Sequence, residues 1–171
     1  MKTIFNELNM LWDSVHQMKV AEIVQEIVKC EGNIICLGAG RMGYAAQSFA
    51  MRLSHLGFKA FMIGDTTLPK INEGDLVFVN SSSGETPSIV LLAKLAADHG
   101  GRLICFTSDE NSTLAEMSEL VLCYKKHQSE QLMKSLYEQF SFLLFDHISH
   151  EVFIASGKER TWVENNHSIL E

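Results

Sequence analysis

Two short segments of this sequence carry the residue types that could bind or transform a charged ligand. The first is Ser81-Ser82-Ser83-Gly84-Glu85-Thr86, which runs directly into Pro87. Thr86 and Pro87 suit the cap and first position of a helix. Hydroxyls, backbone N–H groups and a helix N-terminus can then converge on one anion, above all a phosphoryl group. Gly84, with no Cβ, lets the backbone approach that anion closely. Serine and glycine are also simply good turn residues, so this loop alone does not specify a ligand. The second segment is Gly38-Ala39-Gly40-Arg41-Met42-Gly43, a glycine turn carrying one cation suited to a phosphate. Its Gly38-x-Gly40-x-x-Gly43 spacing, with Asp65 further on, also matches a dinucleotide-binding fingerprint in which Asp65 would hold the ribose. Against that reading, the chain has no room for a separate substrate domain, the serine loop would lack a purpose, and Arg41 sits inside the turn. A third group, His147 and His150 with Asp146 and Glu151, shares one helix turn and could clamp zinc. Histidines three apart arise readily by chance, and neither a metal nor a cofactor is expected.

For the two loops to act together, the elements around them must bring them to one place. Asn33-Ile34-Ile35-Cys36-Leu37 is a continuous apolar run of the kind found in a buried parallel strand. Strand and helix patterns then alternate: helix 43–56, strand 59–63, strand 75–80, helix 86–99, strand 102–107, helix 113–118 and strand 119–124. Ile4, Leu8, Leu11 and Val15, then Ile23 and Ile27, predict one or two opening helices. Leu132, Leu136, Phe140, Leu144, Ile148 and Val152 predict a long helix from 131 to about Gly157, with a short terminal helix after it. Thr113 and Glu116 have capping-box spacing, and Gly100-Gly101 stops a helix before the strand at 102. This alternation implies an α/β fold, a three-layer α/β/α sandwich around a five-stranded parallel sheet. If the strand order is 2-1-3-4-5, the loops after the first and third strands flank the crevice where the order reverses, and ligands sit there.

The 171 residues, 46% apolar and 20% charged with only two prolines, read as one domain spanning 1–171, with helices at 1–30 and 131–171 flanking its centre. A formal charge of −7 counts against nucleic acid as a partner. No apolar run is long enough to span a membrane, and Met1 to Glu7 is amphipathic and acidic, unlike a signal peptide. Cys30, Cys36, Cys105 and Cys123 lack CxxC spacing, as expected for buried thiols in the cytoplasm.

Gly38-Ala39-Gly40-Arg41, Phe49-Ala50-Met51-Arg52-Leu53, His55-Leu56-Gly57-Phe58, Glu73-Gly74-Asp75-Leu76 and Ser81-x-Ser83-Gly84-Glu85-Thr86 resemble the SIS (sugar isomerase) domain family. More narrowly they look like its 6-phospho-3-hexuloisomerase group, nearly end to end, through Thr107-Ser108, Ser112-Thr113-Leu114-Ala115, Glu138 and the tail His167-x-x-Leu170-Glu171. The resemblance implies a homotetramer that interconverts a 3-ketohexose 6-phosphate and fructose 6-phosphate without a cofactor. It places substrate phosphate on Gly40, Arg41, Ser81, Ser83, Gly84 and Thr86. It makes Glu138 the acid/base residue, with His55 and His167 completing the site, across a subunit interface if not within one chain. Phe142 and Phe145, four and seven residues after Glu138, would give its carboxylate an apolar neighbourhood. The chain departs from the family pattern at Met42, where a serine is usual, at Ser82 in place of a glycine, and at Leu132-Met133-Lys134, where the family tends to carry Pro-Met-Gly. The departures leave open a phosphosugar-sensing module without turnover, and the glycine turn leaves open dinucleotide binding.

Overall fold

Five apolar runs of four to six residues form the strands, too short and too rich in β-branched and aromatic side chains to be helices. The computed structural model describes residues 1–167; Leu170 and Glu171 of the tail motif lie outside the described residues. In chain order the elements are α1 (Lys2–Ser14), α2 (Gln17–Lys29), β1 (Asn33–Gly38), α3 (Gly40–His55), β2 (Lys59–Met62), β3 (Leu76–Asn80), α4 (Pro87–Asp98), β4 (Arg102–Thr107), α5 (Thr113–Glu116), β5 (Leu120–Cys123), α6 (Ser135–Ser156) and α7 (Arg160–Asn165). All neighbouring strands pair in parallel, in the order β2-β1-β3-β4-β5. The order reverses between β1 and β3, so the loops after them emerge side by side.

Strand residues alternate between two cores, as the period of two requires. Ile34, Cys36, Leu76, Phe78, Ile104 and Phe106 face α1, α2, α3 and α6. Ile35, Leu37, Val77, Val79, Leu103 and Cys105 face the thinner layer of α4 and α5. Burying one such side chain stabilises the fold by about 1.5–3 kcal/mol. At the β1–α3 turn the packing is closest: a Cβ on Gly43 would lie 2.7 Å from the Gly38 carbonyl oxygen. The fingerprint glycines therefore seat the helix against the strand.

Two helix starts and one helix cap differ from the sequence reading, each for a local reason. Helix α3 starts at Gly40 rather than 43, with Gly43 N–H bonded to Ala39 O, so Arg41 rides on its first turn. Helix α6 starts at Ser135 rather than 131, because Met133 takes a φ of 54° and Leu132 is 84% exposed. Helix α5 is capped by Ser112, whose Oγ accepts from Ala115 N–H, and not by Thr113. The cap is a single serine bond rather than the expected Thr113–Glu116 capping box, and Thr113 Oγ1 instead donates to Glu85. The opening segment forms two helices.

Candidate phosphosugar site

Gly38 and Asn80 are register partners on β1 and β3, so the glycine turn and the serine loop leave the sheet next to each other, about 4.8 Å apart. The serine loop is held by its backbone. Ser81 N–H bonds to Phe106 O at 3.1 Å, continuing the sheet ladder, and Ser81 O accepts from Gly84 N–H at 3.1 Å. Ser82 O accepts from Ser108 N–H, Ser108 Oγ and Thr107 Oγ1, at 2.9, 2.7 and 3.2 Å. Ser82 itself is buried, so this departure from the family pattern leaves the loop pinned to the end of β4. Glu85 accepts from Thr113 N–H at 2.6 Å and Thr113 Oγ1 at 2.9 Å, tying the loop to the start of α5. Gly84 has a φ of +66°, and a Cβ there would lie 1.9 Å from Ser112 Oγ.

Within this frame Ser81 Oγ and Thr86 Oγ1 lie 3.3 Å apart. Thr86 stands at the cap of α4, yet its hydroxyl makes no cap bond and turns toward Ser81. Ser83 is exposed, its Oγ accepting from Glu85 N–H. Thr86 and Ser81 thus bring two hydroxyls to the opening of α4, and a helix N-terminus favours anions in general.

On the adjoining β1–α3 turn, Arg41 Nε forms an ion pair with Glu138 Oε2 of α6 at 2.7 Å. Arg41 keeps 62% of its side-chain exposure and Glu138 only 15%, so the carboxylate is the more enclosed partner. Glu138 sits on the first turn of α6, its N–H bonded to Lys134 O. The expected apolar neighbourhood is only partly realised. Phe145 turns into the core and stacks on Phe49 at 4.6 Å, Phe142 is 41% exposed, and the carboxylate's partner is a guanidinium.

A buried polar bridge sets the spacing of the two helices that carry this pair. Asn80 Nδ2 donates to Met42 O at 2.9 Å, and Ser141 Oγ lies 3.1 Å from Asn80 Oδ1. Ser141 is three residues beyond Glu138, on the same face of α6. Met42 points inward, its Sδ 3.6 Å from Ser141 Oγ, so no hydroxyl at this position reaches the crevice. Lys134 does not replace it; its ammonium lies 5.6 Å from the centre of the Tyr137 ring. Sequence reasoning missed Asn80 and Ser141, and it quoted Glu85 and Ser112 within motifs without giving them a role. Ser141 left a signal in its helical spacing from Glu138.

His55 and His167 are brought together, with ring centroids 4.7 Å apart, but not to Glu138. His55 is the last residue of α3 and Arg41 the second, which separates them by about 21 Å along the helix. Near the histidines a cleft of about 380 Å³ opens between α3, α6 and α7, lined by Arg52, Asp146, His150 and Arg160 among others. His147 packs against Trp12 at 4.9 Å and His150 against Phe153 at 6.5 Å. Among the described residues no group of three or more His, Cys, Asp or Glu is placed to hold a metal. Asp65 Oδ2 accepts from Met62 N–H at 3.0 Å, closing the turn after β2 with the carboxylate the fingerprint reading assigned to a ribose. Among the described residues no helix is long and apolar enough to cross a membrane.

A parallel sheet of this order, with a hydroxyl-rich loop at the switch point and an acid at the head of the long helix, defines an open α/β/α domain of the kind that takes ligands at the carboxyl ends of its strands. The SIS domain family model matches residues 26–145. The chain is 32% identical to the 3-hexulose-6-phosphate isomerase of Mycobacterium gastri, covering 98% of this chain and 92% of that one. It is also 32% identical to the enzyme of the same name from Bacillus subtilis, covering 98% and 95%. A crystal structure of a hypothetical protein from Methanococcus jannaschii, from which a 3-hexulose-6-phosphate isomerase function was inferred, superposes with a TM-score of 0.88 at 26% identity, covering 99% and 98%. The protein belongs to the SIS domain family.

Proposed function

We propose that this protein is a sugar-phosphate isomerase that interconverts a 3-ketohexose 6-phosphate and fructose 6-phosphate. The observation that carries the reading is the Arg41–Glu138 pair, formed where β1 and β3 release the glycine turn and the serine loop side by side. A carboxylate and a cation near a hydroxyl-rich loop support this chemistry, and two similar proteins are named 3-hexulose-6-phosphate isomerase. The substrate phosphate sits on Ser81, Ser83, Thr86 and the backbone at Gly40 and Gly84, and it draws the Arg41 guanidinium onto itself. Glu138, released from Arg41, then faces the sugar carbons. It takes the proton from C2, giving an enediolate across C2 and C3, and returns a proton to C3 while the carbonyl forms at C2. A proton must also pass from the C2 oxygen to the C3 oxygen. His55 and His167 serve there only from a neighbouring subunit, since within one chain they lie at the far end of α3. We place the site accordingly at a subunit boundary of a cytoplasmic homotetramer.

The test is a coupled assay that measures fructose 6-phosphate formed from the 3-keto isomer. Glu138→Gln keeps the side-chain size and removes the base, and kcat is expected to fall by about 10²- to 10⁴-fold with the fold intact. A variant retaining more than about a tenth of wild-type turnover refutes the acid/base role. Wild-type protein that binds sugar phosphates yet turns over none of a panel identifies a sensing module instead.

A further inference from the structure

Glu7 lies far from the site in sequence, on α1, and is the most buried glutamate among the described residues, 5% exposed. A carboxylate buried to this degree is costly unless its oxygens are satisfied, and these are. Oε1 accepts from Glu130 N–H at 2.8 Å, and Oε2 accepts from Ser129 Oγ and Gln131 Nε2, both at 2.8 Å. Bonds to an ionised acceptor are the strong ones. All three donors come from three consecutive residues of the segment that joins β5 to α6 and carries no regular structure until Ser135.

That segment leads straight to Glu138. After Gln131 come Leu132 and Met133, 84% and 95% exposed, which contribute little packing. Ser135 N–H then bonds to Leu132 O, and Glu138 N–H to Lys134 O, beginning the helix. The rest of the segment is tied at Lys125, whose N–H bonds to Ser14 Oγ at the end of α1, and at His127, whose backbone bonds twice to Tyr137 Oη. Helix α1 is itself fixed to α6 by Leu11 in the core and by the Trp12–Phe140 edge contact. One helix thus holds both the body of α6 and the strand of chain that feeds its first turn.

We propose that Glu7 is a positioning residue: its carboxylate on α1 clamps residues 129–131 and so sets the first turn of α6, and the Glu138 carboxylate with it, against Arg41. The role in turnover rests on the isomerase reading; the role in holding the turn does not.

Amide hydrogen exchange and kinetics test it in Glu7→Ala, Glu7→Gln and, as a control, Val20→Ala, which opens a cavity in α2 without touching the segment. In Glu7→Ala exchange at residues 130 and 135–138 is expected to rise about tenfold or more, while β1 and β3 amides keep their protection. Glu7→Gln retains one acceptor oxygen and falls between, and it also serves if the alanine variant does not fold. With the 3-keto sugar phosphate, kcat is expected to fall about tenfold in Glu7→Ala with KM within about twofold, because a small misplacement of the base weakens proton transfer more than binding. Val20→Ala keeps the wild-type kcat at a temperature where all variants are folded. Exchange changes confined to 129–131, or an equal fall of kcat in Val20→Ala, overturn the proposal and leave Glu7 a purely structural group. Should the wild type turn over no sugar phosphate, the isomerase reading fails, and exchange at 135–138 alone decides the positioning role.

Discussion

Replacing Gly84 by alanine tests whether the serine loop owes its shape to a missing side chain. Two costs add. At a φ of +66° an L-residue pays about 1–2 kcal/mol for the left-handed conformation. The new Cβ would also stand 1.9 Å from Ser112 Oγ and 2.3 Å from Ser112 Cβ. Ser112 cannot simply rotate away, because its Oγ caps α5 at Ala115 N–H and donates to Asp109 O at 2.7 Å. Forced overpacking of this kind costs about 1–3 kcal/mol. The sum is about 2–5 kcal/mol, which at 2–4 °C per kcal/mol for a domain of this size lowers the melting temperature by about 4–20 °C. If the loop instead shifts to relieve the overlap, the cost appears as weakened binding, since Ser81, Ser83 and Thr86 move with it. Calorimetric melting and titration with fructose 6-phosphate read both. Adding Ser112→Gly removes both clashing atoms, leaves Thr107 Oγ1 at 3.2 Å and the left-handed cost, and recovers the steric part. A melting temperature within about 2 °C of wild type together with unchanged affinity refutes the reasoning.

Other outcomes follow from the same structure. Arg41→Ala removes the cation of a pair that is largely exposed on its side, so stability changes by no more than about 1 kcal/mol. Its affinity for fructose 6-phosphate is expected to drop about tenfold, and unchanged affinity rules out Arg41 as a phosphate ligand. The Gln131 amide, the Glu130 N–H and the Ser129 hydroxyl hold the Glu7 carboxyl below its ordinary value against the opposing effect of burial. Its contribution to stability is therefore complete above the ordinary glutamate range near pH ~4 and is lost as pH falls through the lower folded value. Denaturation of wild type and Glu7→Gln across pH checks this: the gap is widest at neutral pH and closes in acid, and a gap constant with pH refutes it. Burial pushes the Cys105 thiol up to about 12 and Cys36 higher still, while Cys30 and Cys123 are less buried and shifted less. A thiol reagent on the native protein is expected to modify Cys30 and Cys123 well before the other two, as peptide mapping shows.

The strand order was legible because each strand is short, apolar and punctuated, and because right-handed crossovers leave few ways to arrange five parallel strands. Element ends were less legible. The start of α6 depends on a left-handed residue at Met133, a type that seldom adopts it, and the cap of α5 depends on Ser112 Oγ, which donates to Asp109 O and accepts from Ala115 N–H.

By itself the sequence determined the α/β alternation, the two loops at the switch point and the segregation of hydroxyls and glycines into them, since these follow from local periodicity and turn chemistry. Only the tertiary structure decided which side chains meet there. The Arg41–Glu138 pair, the Asn80 bridge to Ser141 and the Glu7 clamp join residues between 61 and 124 positions apart in those hydrogen-bonded cases, and 97 apart in the ion pair. The distance of His55 from Arg41 was already implied by the helix read over 43–56, whereas its approach to His167 was decided by the tertiary structure. A contact over such distances is set by how helices of given length and face pack on the sheet, and no local window of residues carries that information.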